Sequence, residues 1–147
     1  MRARDWLLLL IAADPGEARG LDPVRLQKGM FLLAEEAVLP RRERYTFVPY
    51  NYGPMSRGLY RGLRDLVRRG WVERRREPGL GWSRYAATAA GAARASELEA
   101  ALGPRARARL EALRAIRARI EGQSFGALLT DVYDRYPGYA TRSVFRG

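Results

Sequence analysis

The side chains with the most chemical reach in this sequence are arginines. Arg57, Arg61, Arg64 and Arg68 recur at the period of one helical face. A guanidinium is a planar, permanently charged fork of donors. A line of them suits phosphate oxygens, carboxylates, or the O6 and N7 edge of guanine. Acid–base and nucleophilic chemistry have far less to work with. There is no histidine and no cysteine, which removes the commonest general base, the commonest transition-metal ligand, thiolate nucleophiles and disulfides. Glu35 and Glu36 are adjacent, so they diverge by about 100° around a helix and make no matched pair. Asp131 and Asp134, three apart, could meet or hold a cation, but a solvated face is the plainer reading. Gly53-Pro54 is too short for a phosphate loop, and no G-x-G-x-x-G or Walker pattern occurs. The residues therefore predict a binding protein rather than an enzyme, with no cofactor and no metal.

The arginine line needs a helix to hold it. Leu59, Leu63, Leu66 and Val67 form an apolar stripe on another face of the same segment. Ser56 is a suitable N-cap, and Gly70 a suitable left-handed stop. The spacing predicts a helix over 56–69 with Tyr60 at the edge of its basic face. That face is costly: like charges four apart repel by a few tenths of a kcal/mol, and only Asp65 offers relief. Gly58 and Gly62 each lower helix stability by about 1 kcal/mol relative to alanine. Spaced i,i+4, they predict a smooth groove open to another backbone. Next come Trp71-Val72-Glu73, the basic run Arg74-Arg75-Arg76, the turn Pro78-Gly79-Leu80-Gly81 and a return segment from Trp82, a hairpin over 71–86. A basic helix running into a basic hairpin is how a winged helix meets double-stranded DNA. On that reading Arg57, Tyr60, Arg61 and Arg64 contact bases, and Arg68, Arg74, Arg75, Arg76 and Arg84 contact phosphates. Trp71, Val72 and Trp82 are expected to pack the hairpin onto the core.

The chain of 147 residues carries 27 basic against 16 acidic side chains, a formal charge of +11. Such a balance favours a polyanionic partner, nucleic acid before an anionic membrane surface. Lys28 is the only lysine. Arginine enrichment can also follow genome composition, so placement says more than total charge. A solvated arginine face in an arginine-rich chain is the plainer alternative.

The remaining elements read in order. Met1-Arg-Ala-Arg followed by Trp6–Ala13 superficially resembles a secretory leader, but Asp5 interrupts it and the apolar run is short for one. It is also too short to span a bilayer. A buried helix from Asp5 to Ala13, capped by Asp5 and ended by Pro15-Gly16, is expected, in a cytoplasmic protein. Asp22-Pro23 opens a second helix whose core face is Leu26, Met30, Leu33, Ala34 and Ala37, with Lys28, Glu35 and Glu36 left to solvent. Tyr45–Val48 is rich in strand formers, and Tyr50–Pro54 reads as a tight turn. The aromatic residues Tyr45, Phe47, Tyr50 and Tyr52 could stack single-stranded nucleic acid, although packing beneath the arginine helix is favoured. Further helices follow over Thr88–Leu102, Arg105–Glu121 and Ser124–Tyr136. The last carries Phe125, Leu128, Leu129, Val132 and Tyr136 on one side, a candidate homodimer face. A dimer would set two recognition helices roughly 34 Å apart.

Two resemblances bear on this. The run GLYRGLRDLVRRGWVERRRE and the later SRYAATAAGAA resemble the helix-and-wing segment of PadR-type winged-helix regulators, matching at Gly58, Tyr60, Leu63, Leu66, Gly70, Val72, Tyr85, Thr88 and Gly91. Trp71 and Ala87 depart from the usual aliphatic residues. Leu26-Gln27-Lys28 with Phe31, Tyr45-x-Phe47 and Tyr52-Gly53-Pro54-Met55-Ser56 are similar to the YwgA-like group and, more distantly, to the Panacea (SocA-like) antitoxin domains. Met55 replaces their usual aromatic. The ending from Leu129 through Tyr133, Tyr136-Pro137 and Tyr139-Ala140 to Ser143 is similar to the same group. These resemblances imply a winged-helix fold and say little about activity.

The resulting expectation is a mainly α chain with a small β-sheet: a winged helix-turn-helix over 1–102 and a C-terminal helical extension over 103–147. The expected function is DNA binding in transcriptional regulation. The alternatives are a protein-interaction module gripping an acidic partner, such as an antitoxin or defence-system accessory, and RNA or single-stranded DNA binding.

Overall fold

Six consecutive apolar residues, Trp6 to Ile11, leave a helix no polar side to show to water, so it must be enclosed. In the computed structural model, which describes residues 1–13, 20–76, 78–79 and 81–145, all six are buried in α1 (Ala3–Ala12). Asp5 caps this helix from inside rather than at its boundary: Arg2 is the N-cap, and its backbone N–H donates to the Asp5 carboxylate at 2.8 Å. The expected stop at Pro15-Gly16 lies outside the described residues.

Helix α2 (Pro23–Glu36) starts as its sequence predicts, with Asp22 accepting from the backbone N–H of Arg25. The chain then passes a short 3-10 turn at Arg41–Glu43 and an antiparallel pair, β1 (Val48–Tyr50) and β2 (Gly53–Met55). The strand expected at Tyr45–Val48 thus begins only at Val48. Tyr45 and Phe47 are drawn inward instead, Phe47 meeting Phe31 edge-on at 5.4 Å. Helix α3 (Arg57–Arg68) follows, then the hairpin β3 (Val72–Arg76) and β4 (Ser83–Ala87), paired from Val72↔Ala87 to Arg76↔Ser83. Leu21, just before α2, exchanges two backbone hydrogen bonds with Tyr85 at 2.9 Å and so adds a one-residue third rung beside β4. Helices α4 (Ala89–Ala100), α5 (Pro104–Gly122) and α6 (Phe125–Arg135) complete the described fold. The protein is mainly helical, with two small antiparallel sheets.

Helix α1 is the hub, touching α2, α3, α4 and α5. One apolar cluster runs from Trp6 to Val132 and takes in Leu59, Leu98, Leu113 and Ile120. The division expected between 102 and 103 therefore separates helices that share a core. Arg117 on α5 shows why. It is 1% exposed, and its guanidinium donates to the carbonyls of Leu10 (2.7 Å) and Ile11 (2.9 Å) and to Glu121. It thereby satisfies carbonyls near the end of α1 that no helical N–H can reach.

Candidate functional site

Burial of Leu59, Leu63 and Leu66 fixes the rotation of α3. Each contributes about 1.5–3 kcal/mol when fully buried. Ser56 caps the start, accepting from Leu59 N–H at 3.3 Å. At the other end Gly70 (φ +76°) closes a Schellman turn, with Gly70 N–H on Val67 O and Trp71 N–H on Leu66 O. With the leucines held down, Arg57, Arg61, Arg64 and Arg68 stand exposed as a ridge. Among the described residues none of the four has an acidic partner. Asp65, the anticipated relief, is taken up by Arg4 and Arg69 instead. The hydrogen bond from Arg4, helped by Arg69, holds its carboxyl below the usual range against some desolvation.

Tyr60 is half-buried, and burial pushes its hydroxyl pKa up. It lines a groove of about 490 Å³ between α3 and the β3–β4 hairpin, together with Arg64, Arg68, Arg74 and Tyr85. The structure thus brings together residues assigned separately to bases and to phosphates. On the hairpin, Arg74 and Arg76 are exposed, Arg74 also donating to Ser83 Oγ at 2.9 Å. Arg75 and Arg84 are half-buried and engaged, Arg75 with Glu73. Val72 packs inward as expected. Trp71 is half-buried between the guanidinium groups of Arg69 and Arg94, 5.3 and 5.5 Å from its ring. Trp82 does not pack on the core: it is 53% exposed near the hairpin end. Pro78 and Gly79 form a turn there, while Glu77 and Leu80 lie outside the described residues.

The groove expected at Gly58 and Gly62 is filled. A Cβ on Gly62 would collide with the Tyr45 hydroxyl, and one on Gly58 would come 3.3 Å from the same ring. At Gly62 the space is taken by a side chain of this chain, while Gly58 also lines an open groove between α3 and the β1–β2 hairpin. Gly91 plays a similar part for α4, which approaches the Trp71 carbonyl too closely for any Cβ, while Thr88 Oγ1 donates to Gly70 O at 2.6 Å. The Thr-x-x-Gly pattern therefore docks α4 on the exit of α3.

The residues shared with the YwgA-like pattern converge on the β1–β2 hairpin. Gln27 grips Ser56 from both sides, its Nε2 donating to Ser56 O (2.9 Å) and its Oε1 accepting from Ser56 N (2.8 Å). Lys28 is not left to solvent: it is 3% exposed, and its Nζ donates to Pro54 O at 3.0 Å. Burial lowers its pKa from 10.5 to about 7, with Asp22 pulling weakly the other way. Tyr133 packs against Gly53 and hydrogen-bonds Ser143, and Val144 N–H closes on Asn51 O at 2.9 Å. Sequence periodicity missed this clamp, because a lysine among polar neighbours looks solvated. The Leu-Gln-Lys and Tyr-Gly-Pro-x-Ser motifs were its visible trace.

The candidate homodimer face is taken up by the chain itself. Leu128, Leu129 and Val132 are 0% exposed, and Tyr136 lies edge-on against Phe31 at 4.9 Å. Phe125 alone of the five is exposed, and it meets Tyr52 at 5.5 Å. The helix has an apolar side because it closes this core, not because it awaits a copy. Asp131 pairs with Arg135 at 3.1 Å, and among the described residues no group of three acidic side chains could hold a metal ion. No described helix is long and apolar enough to cross a membrane. Compared with models of known protein families and with curated proteins, the chain matches none.

Proposed function

We propose that the chain is a winged-helix protein that binds double-stranded DNA, with α3 as recognition helix and β3–β4 as wing, in the service of transcriptional regulation. One observation carries the reading: four exposed arginines, without acidic partners among the described residues, form a ridge on α3, continuous through Arg68 and Arg74 with a basic hairpin. The order of elements supports it. Helix, bridging residue Leu21, helix, α3 and a hairpin pairing back onto Leu21 is the wiring of a winged helix, in keeping with the PadR-like and YwgA-like patterns. The stretch from Ala37 to Ser56 departs from a short helix-turn-helix link by carrying its own hairpin.

In this reading Arg57, Tyr60, Arg61 and Arg64 face base edges, and Arg68, Arg74 and Arg76 face phosphates, with Arg75 and Arg84 bracing the wing. Titration of duplex DNA, single strands and RNA across salt concentrations tests it. Duplex binding should lead, with a log–log slope of about −0.9 per phosphate neutralised. Substituting Arg57 and Arg61 should remove sequence preference, whereas substituting Arg74–Arg76 should weaken binding to every sequence. If neither set alters duplex binding, the reading fails. A second reading, an acidic protein as partner, draws on the same exposed arginines, with the aromatic edge of Tyr52 and Phe125 as added apolar contact. The single-strand reading is weakened, since Tyr45 and Phe47 are committed to packing.

A further inference from the structure

The arginine ridge of α3 has a groove on each side. Successive helical residues turn by about 100°, so Tyr60, Leu63 and Val67 face the wing while Gly58 faces the other way. On that second flank, α3, the β1–β2 hairpin and the C-terminal tail enclose an open groove of about 830 Å³. Four arginines line it: Arg44 ahead of β1, Arg57 and Arg61 on α3, and Arg142 on the tail. Among the described residues no acidic side chain lines it. Arg44 has Glu35 as a partner at 3.1 Å, whereas Arg57, Arg61 and Arg142 have no acidic partner among the described residues. These cations come from three separate stretches of chain. The tail is held in place by Ser143 and Val144 on Asn51 O and by Tyr133 on Ser143. Holding like charges around one concavity is unfavourable until an anion enters it. Arginine forks are well matched to phosphate oxygens.

We propose that this groove holds a backbone phosphate of the bound duplex, with Arg142 and Arg44 gripping the strand on the side of α3 opposite the wing. The proposal rests on the reading of α3 as a DNA-recognition helix and adds to it a second phosphate clamp built by the hairpin and tail. The duplex is then held on both flanks of the ridge, which explains why the link from α2 to α3 carries a hairpin at that position.

The test is a salt-dependent duplex titration of the full chain as wild type, R142Q, R142K and R44Q. R107Q removes an exposed arginine of α5 that has no acidic partner among the described residues, and controls for net charge. R142Q should weaken every duplex alike and reduce the salt slope by about 0.9. R44Q should do the same to a smaller extent, R142K should restore most of the slope, and R107Q should leave it unchanged. Circular dichroism melting confirms that each variant is folded. If R142Q and R107Q behave identically while R64Q weakens binding, the clamp is overturned and the α3 reading stands. If the wild type does not bind duplex DNA, both fall. ATP serves as a free phosphate probe: if it binds in an Arg142-dependent way while R142Q leaves duplex affinity unchanged, the groove belongs to a small phosphorylated ligand and the DNA clamp is overturned.

Discussion

Helices α3 and α5 are both rich in arginine and use it in opposite ways. On α5, from Arg114 onward, each arginine is tied to the rest of the chain. Arg114 bonds Glu111 and Glu99, Arg117 holds the end of α1, and Arg119 reaches Glu36 on α2. On α3 the ridge of Arg57, Arg61, Arg64 and Arg68 meets no acid among the described residues. The same side chain is structural where a carboxylate or a helix-terminal carbonyl waits for it, and stays exposed and unneutralised where none does. Net charge cannot distinguish these cases, since it counts Arg117 and Arg64 alike. Location can.

The comparison breaks most visibly at Arg117. Arg117→Ala strips the α1 carbonyls of their donor and leaves a buried hole, and should cost about 3–5 kcal/mol in denaturant unfolding. Arg64→Ala, on the ridge, should stay within about 0.5 kcal/mol of wild type. Equal losses would erase the distinction drawn here. The converse belongs to binding: Arg57→Ala and Arg61→Ala should each remove about 1–3 kcal/mol of discrimination between duplex sequences while leaving the unfolding midpoint unmoved.

Lys28 extends the interior class. Its pKa lies near 7 when folded, lowered from 10.5, so between those values the unfolded chain binds more protons. Stability must then rise with pH from about 7, by at most about 1.4 kcal/mol per pH unit, before the raised tyrosine pKa values reverse the trend above 10. Lys28→Met should flatten that rise in urea titrations from pH 7 to 9.5. A smaller effect is expected at Arg119→Ala, where a half-exposed pair with Glu36 contributes about 0.2–1 kcal/mol, with no change in duplex affinity. Least of all should stability respond to Trp82→Ala, within about 0.5 kcal/mol. Acrylamide should nevertheless quench wild-type tryptophan emission far more than that of the variant, because Trp6 is buried and Trp71 lies between two arginines.

Much of the site was legible from the sequence because it is written at helical spacing. The leucine stripe, the Ser56 cap, the Gly70 stop and the outward arginine line all depend on residues within a turn or two of each other, where the chain's own geometry decides the neighbours. Strand and turn chemistry were less legible: Tyr45 and Phe47 have strand-forming character, yet a glycine groove on α3 and the ring of Phe31 compete for them and win. Trp82 misled in the other direction, since an apolar residue on a hairpin normally packs inward.

The sequence by itself determined the helices, the Asp22 and Ser56 caps, the basic character of α3 and its hairpin, and the absence of histidine and cysteine chemistry. Tertiary structure alone decided which cations are interior, why the α6 face is closed, and how Arg142 comes to line the same groove as Arg57. The physical reason is range. Amphipathic period and capping are settled locally, whereas the fate of a lysine or arginine depends on what arrives from elsewhere. Arg117 finds the carbonyl of a residue 107 positions earlier, and Lys28 finds that of Pro54, 26 positions on. Helical period and capping rules announce neither meeting; only the Leu-Gln-Lys and Tyr-Gly-Pro motifs hint at the second.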